Sequence, residues 1–135
     1  MKIETFNSPE EIPVALFSKM KRMNYKYRGV ILYEYMKWDV LPDPSMITAY
    51  VMMEDDRLIA HGIARRYENS SCTVMVWVNG RLRGKGYGKK LGTHIIRENL
   101  DRTDSFTFYE SSRGKKFWVD IMEKNFGRHV SYDII

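Results

Sequence analysis

Apolar residues along this chain change their period several times, and each change marks an element. Ile12, Leu16, Phe17 and Met20 recur at helical spacing behind Ser8-Pro9-Glu10-Glu11. That run reads as an N-cap, a first-turn proline and two acidic residues, so a helix is predicted over about residues 9–23. Residues 24–45 are aromatic and keep no period; Tyr33 to Trp38 reads as a short second helix, and Leu41-Pro42-Asp43-Pro44 breaks the chain. Ile47 to Met53 and Leu58 to Arg65 are strand-like runs joined by the acidic turn Glu54-Asp55-Asp56-Arg57, which predicts a hairpin. Cys72 to Val78 is a third run, loaded with Val and Trp.

Helical spacing returns at Leu91, Ile95, Ile96 and Leu100, one stripe that needs burial. Phe106 to Tyr109 reads as a short strand, Lys115 to Lys124 as a helix ended by Phe126-Gly127, and His129 to Ile135 as a final strand. The order helix, hairpin, strand, helix, strand, helix, strand predicts a mixed α/β (α+β) fold with one strand-helix-strand crossover in the middle. No repeat, linker or low-complexity segment interrupts it, so residues 1–135 are expected to form a single domain.

Composition changes this picture little. The apolar fraction of 44% and aromatic fraction of 13% are those of a folded chain. The longest apolar runs, such as Ala49 to Met53, fall far short of the ~20 residues that cross a bilayer, and Met1 to Thr5 has no apolar signal core. A soluble, cytoplasmic protein without a membrane partner is the expectation. Cys72 stands alone, which excludes an internal disulfide and a cysteine zinc site, and the three histidines lack companions at ligand spacing, so no metal is expected.

Charge changes it more. A formal charge of +5 suits nucleic acid, an acidic protein or a ligand with several phosphates. Its distribution favours the last, because Arg81, Arg83, Lys85, Lys89 and Lys90 crowd around Gly84, Gly86 and Gly88. This glycine-rich turn lies between the strand ending at Val78 and the helix that starts before Leu91. A helix start offers unpaired N–H groups and the positive end of the macrodipole, and glycines let phosphate oxygens approach the backbone. A nucleotide triphosphatase loop is disfavoured, since Gly88-Lys89 is followed by Lys90 and Arg83 fills the place of the earlier glycine; a dinucleotide fingerprint fails because Lys89 stands where its third glycine belongs.

Arg83-Gly84-Lys85-Gly86-Tyr87-Gly88 resembles the R-x-x-G-x-G/A signature of the GNAT family of N-acetyltransferases. Asp56 to Gly62 is similar to that family's third strand, Thr73 to Val78 to its fourth, and Met122-Glu123-Lys124-Asn125-Phe126-Gly127 to a degenerate end of its last helix. The resemblance implies a mostly antiparallel twisted sheet flanked by helices, with a central β-α-β unit that binds acetyl-CoA where the fourth and fifth strands splay. It implies that Val76, Trp77 and Val78 offer backbone groups to the acyl carbonyl and pantetheine arm. Arg83, Gly84, Lys85, Gly86, Tyr87, Gly88 and Lys89 would then hold the diphosphate.

The acceptor is implied to be an amine of a small molecule or a protein, in a pocket shaped by residues 24–45. Family members often protonate the departing thiolate from a tyrosine on the last helix, but Met122 occupies that position here. Either another hydroxyl within reach serves, Tyr109, Ser111, Ser112 or Tyr132, or the thiolate leaves with solvent help; Tyr109 is the candidate acid and Glu110, at the end of the fifth strand, the candidate base. His61, in an apolar strand, reads as a hydrogen-bonded structural histidine. Two other functions fit the residues: a coenzyme A-binding module without chemistry, acting on a protein partner, and a nucleic-acid binder using Arg65, Arg66 and the 81–90 cluster. The second is disfavoured because only Tyr87 interleaves with the basic residues. Where many relatives end in two strands this chain has room for one, and the exposed edge predicts a homodimer.

Overall fold

In the computed structural model, which describes residues 1–25, 35, 38, 43, 46–109, 113–127 and 130–135, the strand-like runs join one six-stranded sheet in the order β1-β2-β3-β4-β5-β6. The strands are β1 Lys2–Phe6, β2 Ile47–Glu54, β3 Arg57–Arg66, β4 Ser71–Val78, β5 Ser105–Phe108 and β6 Ser131–Ile134. The helices are α1 Val14–Tyr25, α2 Tyr87–Asn99 and α3 Lys115–Asn125. β1 to β4 pair antiparallel in sequence, whereas β4 with β5 and β5 with β6 are parallel. Parallel neighbours require a crossover, and α2 and α3 supply two of them where the sequence predicted one. The mixed α/β architecture, with its mostly antiparallel sheet flanked by helices, is otherwise as expected.

β2, β3 and β4 are buried on both faces, so each parity of residue feeds a separate core. Val74, Val76 and Val78 pack with Leu91, Ile95, Phe106, Phe108 and Trp118 under α2 and α3. Ala49, Val51, Ile63 and Met75 face the other way, onto Met20 of α1 and the rings of Tyr35 and Trp38. α2 approaches the sheet closely because β3 presents no side chain at Gly62: a Cβ there would lie 2.6 Å from the Met75 carbonyl and 2.7 Å from Ile95 Cδ1.

Two elements differ from expectation. Residues 9–11 form a 3-10 turn, and the first helix begins only at Val14, because Pro13 forces Ile12 into an extended conformation (φ −85, ψ 124). The Ser8 side chain caps nothing; Glu11 instead accepts from the Asn7 N–H at 2.8 Å. Lys2–Phe6, unassigned from sequence, is an edge strand on β2. The acidic hairpin turn holds as expected, with Asp55 (φ 48) and Asp56 (φ 63) both left-handed between the paired Glu54 and Arg57. No helix among the described residues is long and apolar enough to cross a membrane, and no group of three or more metal-ligating side chains gathers among them.

Candidate functional site

The pairing of β4 with β5 ends at Val74↔Phe108, so Met75–Val78 run on with no strand beside them on that side among the described residues. The Asn79 N–H bonds the Ile59 carbonyl at 2.9 Å. Counting back along the antiparallel ladder, the main-chain groups of Met75 and Trp77 turn toward β3, and those of Val76 and Val78 turn into the gap. Their side chains are buried in the α2-side core. Trp77 contributes its indole, on the opposite face, beneath the Arg83 guanidinium at 4.7 Å, while Arg83 Nε donates to the Val78 carbonyl at 3.4 Å.

From Val78 the chain makes a short turn. The Asn79 side chain accepts from the Arg81 N–H at 3.3 Å, and Leu82 is buried beneath it. Gly84 (φ 81) and Gly86 (φ 86) then take left-handed conformations, and Gly86 is the N-cap of α2. The Lys90 N–H reaches back to the Gly86 carbonyl at 3.1 Å. The N–H groups of Tyr87, Gly88 and Lys89 precede that bond and have no acceptor within the helix. A Cβ at Gly84 or Gly86 would meet nothing within 4 Å, so the space before these groups is open. Uncapped donors, positive dipole and open space together fit a phosphate-bearing coenzyme.

The pocket in front of this helix start has a volume of about 250 Å³. Arg83, Gly84, Gly86, Gly88 and Lys89 line it, as do Val78 and Tyr87, whereas Lys85, Val76 and Trp77 do not. Lys89 also reaches Asp120 of α3, 3.7 Å away. Three lining residues were not picked out from the sequence: Leu82, and from the far side of the crossover Arg113 and Phe117. Arg113 lies over the Phe117 ring at 4.6 Å, and its buried Nε has no hydrogen-bond partner among the described residues. Burial, and the like charge of Arg83, lower its pKa. No local pattern marks an arginine two residues ahead of a helix, so only the folded chain brings it to Gly88.

The catalytic candidates are less gathered. Tyr109 follows β5 and packs, half-buried, against the α1-side core, on the face that carries Trp77. Glu110, Ser111 and Ser112 lie outside the described residues. Tyr132 is engaged elsewhere, donating to Glu123 of α3 at 3.1 Å. Met122 is fully buried in the α2-side core and cannot donate a proton. His61 is structural: its Nδ1 lies 2.8 Å from the Tyr35 hydroxyl, and burial lowers its pKa to about 3. Of the segment expected to shape an acceptor pocket, residues 26–34 are outside the described residues, and Tyr35 and Trp38 are core rings. The basic residues offered for nucleic acid split to opposite ends of β4, since Arg66 binds Thr48 (2.9 Å) and Asn99 (3.2 Å) near the strand's start. A larger open cavity of about 690 Å³ lies on the α1 side, where Lys19, Arg22 and Arg57 mix with Asp55 and Asp56.

A profile of the Acetyltransferase (GNAT) family matches residues 14–124. A search of curated proteins finds no match. Among solved structures, an aminoglycoside 6'-N-acetyltransferase complexed with coenzyme A aligns with TM-score 0.57 at 18% identity over 76% of this chain; the chain spans 57% of that protein. An inferred acetyltransferase from Exiguobacterium sp. 255-15 aligns with TM-score 0.63 at 16% identity, covering 89% of this chain and 82% of its own. Aminoglycoside N-acetyltransferase AAC(6')-Iy in complex with coenzyme A gives TM-score 0.56 at 14% identity, covering 95% and 92%. At these identities the likeness is one of fold.

Proposed function

Because the chain belongs to the Acetyltransferase (GNAT) family, we propose that it binds acetyl-CoA at the open end of β4 and transfers the acetyl group to a primary amine. The observation that carries this reading is a strand end, Met75–Val78, with no strand on its β5 side among the described residues, meeting a glycine-capped helix start at Gly86. An amide-bearing pantetheine arm pairs with this open strand side as a neighbouring strand would, through Val76 and the N–H of Val78, whose carbonyl accepts from Arg83 Nε. The diphosphate then takes the N–H groups of α2, with Arg83 and Lys89 supplying charge and Lys85 at the exposed rim.

An amine acceptor is protonated at neutral pH, lysine with pKa ~10.4, so a base must free its lone pair. Glu110 is the candidate base and Tyr109 the candidate proton donor to the thiolate. Tyr109 supports this by its place at the end of β5, on the face with Trp77. Tyr109→Phe is expected to lower kcat while leaving coenzyme A affinity unchanged, and an unaltered kcat removes Tyr109 from the chemistry. Two of the structural neighbours carry aminoglycoside in their names, which puts amino sugars first among small-molecule acceptors, with peptide lysines the protein alternative.

Thiol release from acetyl-CoA in the presence of aminoglycosides, polyamines and lysine peptides tests the proposal. Release above background with any of them supports it. Tight coenzyme A binding with no turnover favours instead a catalytically weak module acting on a protein partner, the reading that Met122 at the family's tyrosine position supports. No coenzyme A binding sinks both.

A further inference from the structure

We infer that Arg113 is a phosphate-binding arginine of the coenzyme site, delivered across the pocket from the position just ahead of Gly114, the N-cap of α3, and that Gly88 exists in its present form to seat it. The inference rests on the acetyl-CoA reading above and deepens it.

Four observations converge. Arg113 and Arg83 line the same pocket, from opposite sides of the crossover. Each guanidinium lies over an aromatic ring, Arg83 on Trp77 at 4.7 Å and Arg113 on Phe117 at 4.6 Å, so both are held in place before a ligand arrives. Among the described residues no ion pair or hydrogen bond answers Arg113: its Nε is buried without a partner, and Asp120 of α3 is engaged by Lys89. Two like charges facing one pocket repel, and burial adds to the cost. An anion between them converts that repulsion into two charge-assisted contacts, and the guanidinium fork matches phosphate oxygens.

Gly88 supplies the seat. A Cβ at position 88 would lie 2.9 Å from Arg113 Nη2 and 3.2 Å from its Cζ. An alanine methyl there displaces the guanidinium, because the tip of a long side chain is the part that can yield. The diphosphate cradle therefore has a side-chain half as well as a main-chain half, and the two meet at Gly88.

Calorimetry with coenzyme A and with 3′-dephospho-coenzyme A, on the wild type, Arg113→Gln, Arg113→Lys, Gly88→Ala and the double variant Gly88→Ala/Arg113→Gln, tests this. Arg113→Gln is expected to bind coenzyme A about tenfold or more weakly, while the ligand-free variant melts at or above the wild-type temperature because the repulsion with Arg83 is gone. Arg113→Lys retains charge but loses the fork and falls between. Gly88→Ala weakens binding, and adding Arg113→Gln to it costs little further, since the arginine has already left its seat. A loss that persists with the dephospho ligand assigns the contact to the diphosphate; one that vanishes assigns it to the 3′-phosphate. Wild-type protein that takes up no coenzyme A overturns this inference together with the reading beneath it. Wild type that binds while Arg113→Gln binds within about twofold of it, or fully additive losses in the double variant, overturns this inference alone.

Discussion

Burial holds the His61 imidazole neutral down to about pH 3, against an ordinary value of 6.5. The unfolded chain takes up that proton near its ordinary value and the folded chain does not, so the stability is present above 6.5 and is lost as pH falls toward 3. Urea unfolding at about pH 7 and pH 4.5 should therefore show the wild type losing about 2 kcal/mol more than His61→Gln over that range; equal losses would contradict the assignment. The sequence marked His61 as structural from its apolar strand alone. It marked Gly84 and Gly86 as places where a phosphate can approach the backbone; that both take a left-handed conformation is visible only in the fold. Arg113 was invisible, since its partner residue Gly88 is near it only after α2 and β5 have folded back on the sheet.

Elements show the same division. Runs with a strong period, such as Leu91 to Leu100 and Cys72 to Val78, were legible because burial of one stripe or of both faces writes itself into local order. β1 was not, because Lys2-Ile3-Glu4-Thr5-Phe6 is an edge strand with only Phe6 buried. The start of α1, Val14, was set by Pro13 and lies five residues later than the capping signal suggested. The second parallel crossover, β5-α3-β6, depends on where β6 docks, which a strand of four residues does not declare. Gly62 makes the packing of α2 testable. Gly62→Ala puts a methyl against the Met75 carbonyl, which is backbone and cannot yield, so a cost of about 1–3 kcal/mol is expected from chemical denaturation, with α2 and its N-terminus pushed off the sheet. Unchanged stability would mean that α2 sits further from β3 than described.

At the scale of the whole molecule, the gap that opens past Val74 and the turn that ends in Gly86 lie on one continuous path, β4 to α2. That path is what the resemblance implied, and it is the part of the site most readable from sequence, since strand, turn and helix are contiguous there. The acceptor side was expected to draw on residues 24–45 and Glu110, and residues 26–34 and 110–112 lie outside the described ones. β6 closes the sheet with its outer edge unpaired among the described residues and Ile135 exposed beside it. Edge pairing of two copies is expected, and light scattering at twice the 16.0 kDa chain mass would support it, where a strict monomer would not. The central claim, a diphosphate on the N–H groups of α2, is reached most directly by titrating coenzyme A into the wild type and Gly86→Asp in parallel. A side chain at φ 86 is strained, and a carboxylate there repels phosphate, so the account predicts saturable binding by the wild type and none by a variant that still melts cooperatively. Equal affinity in the two proteins would contradict it.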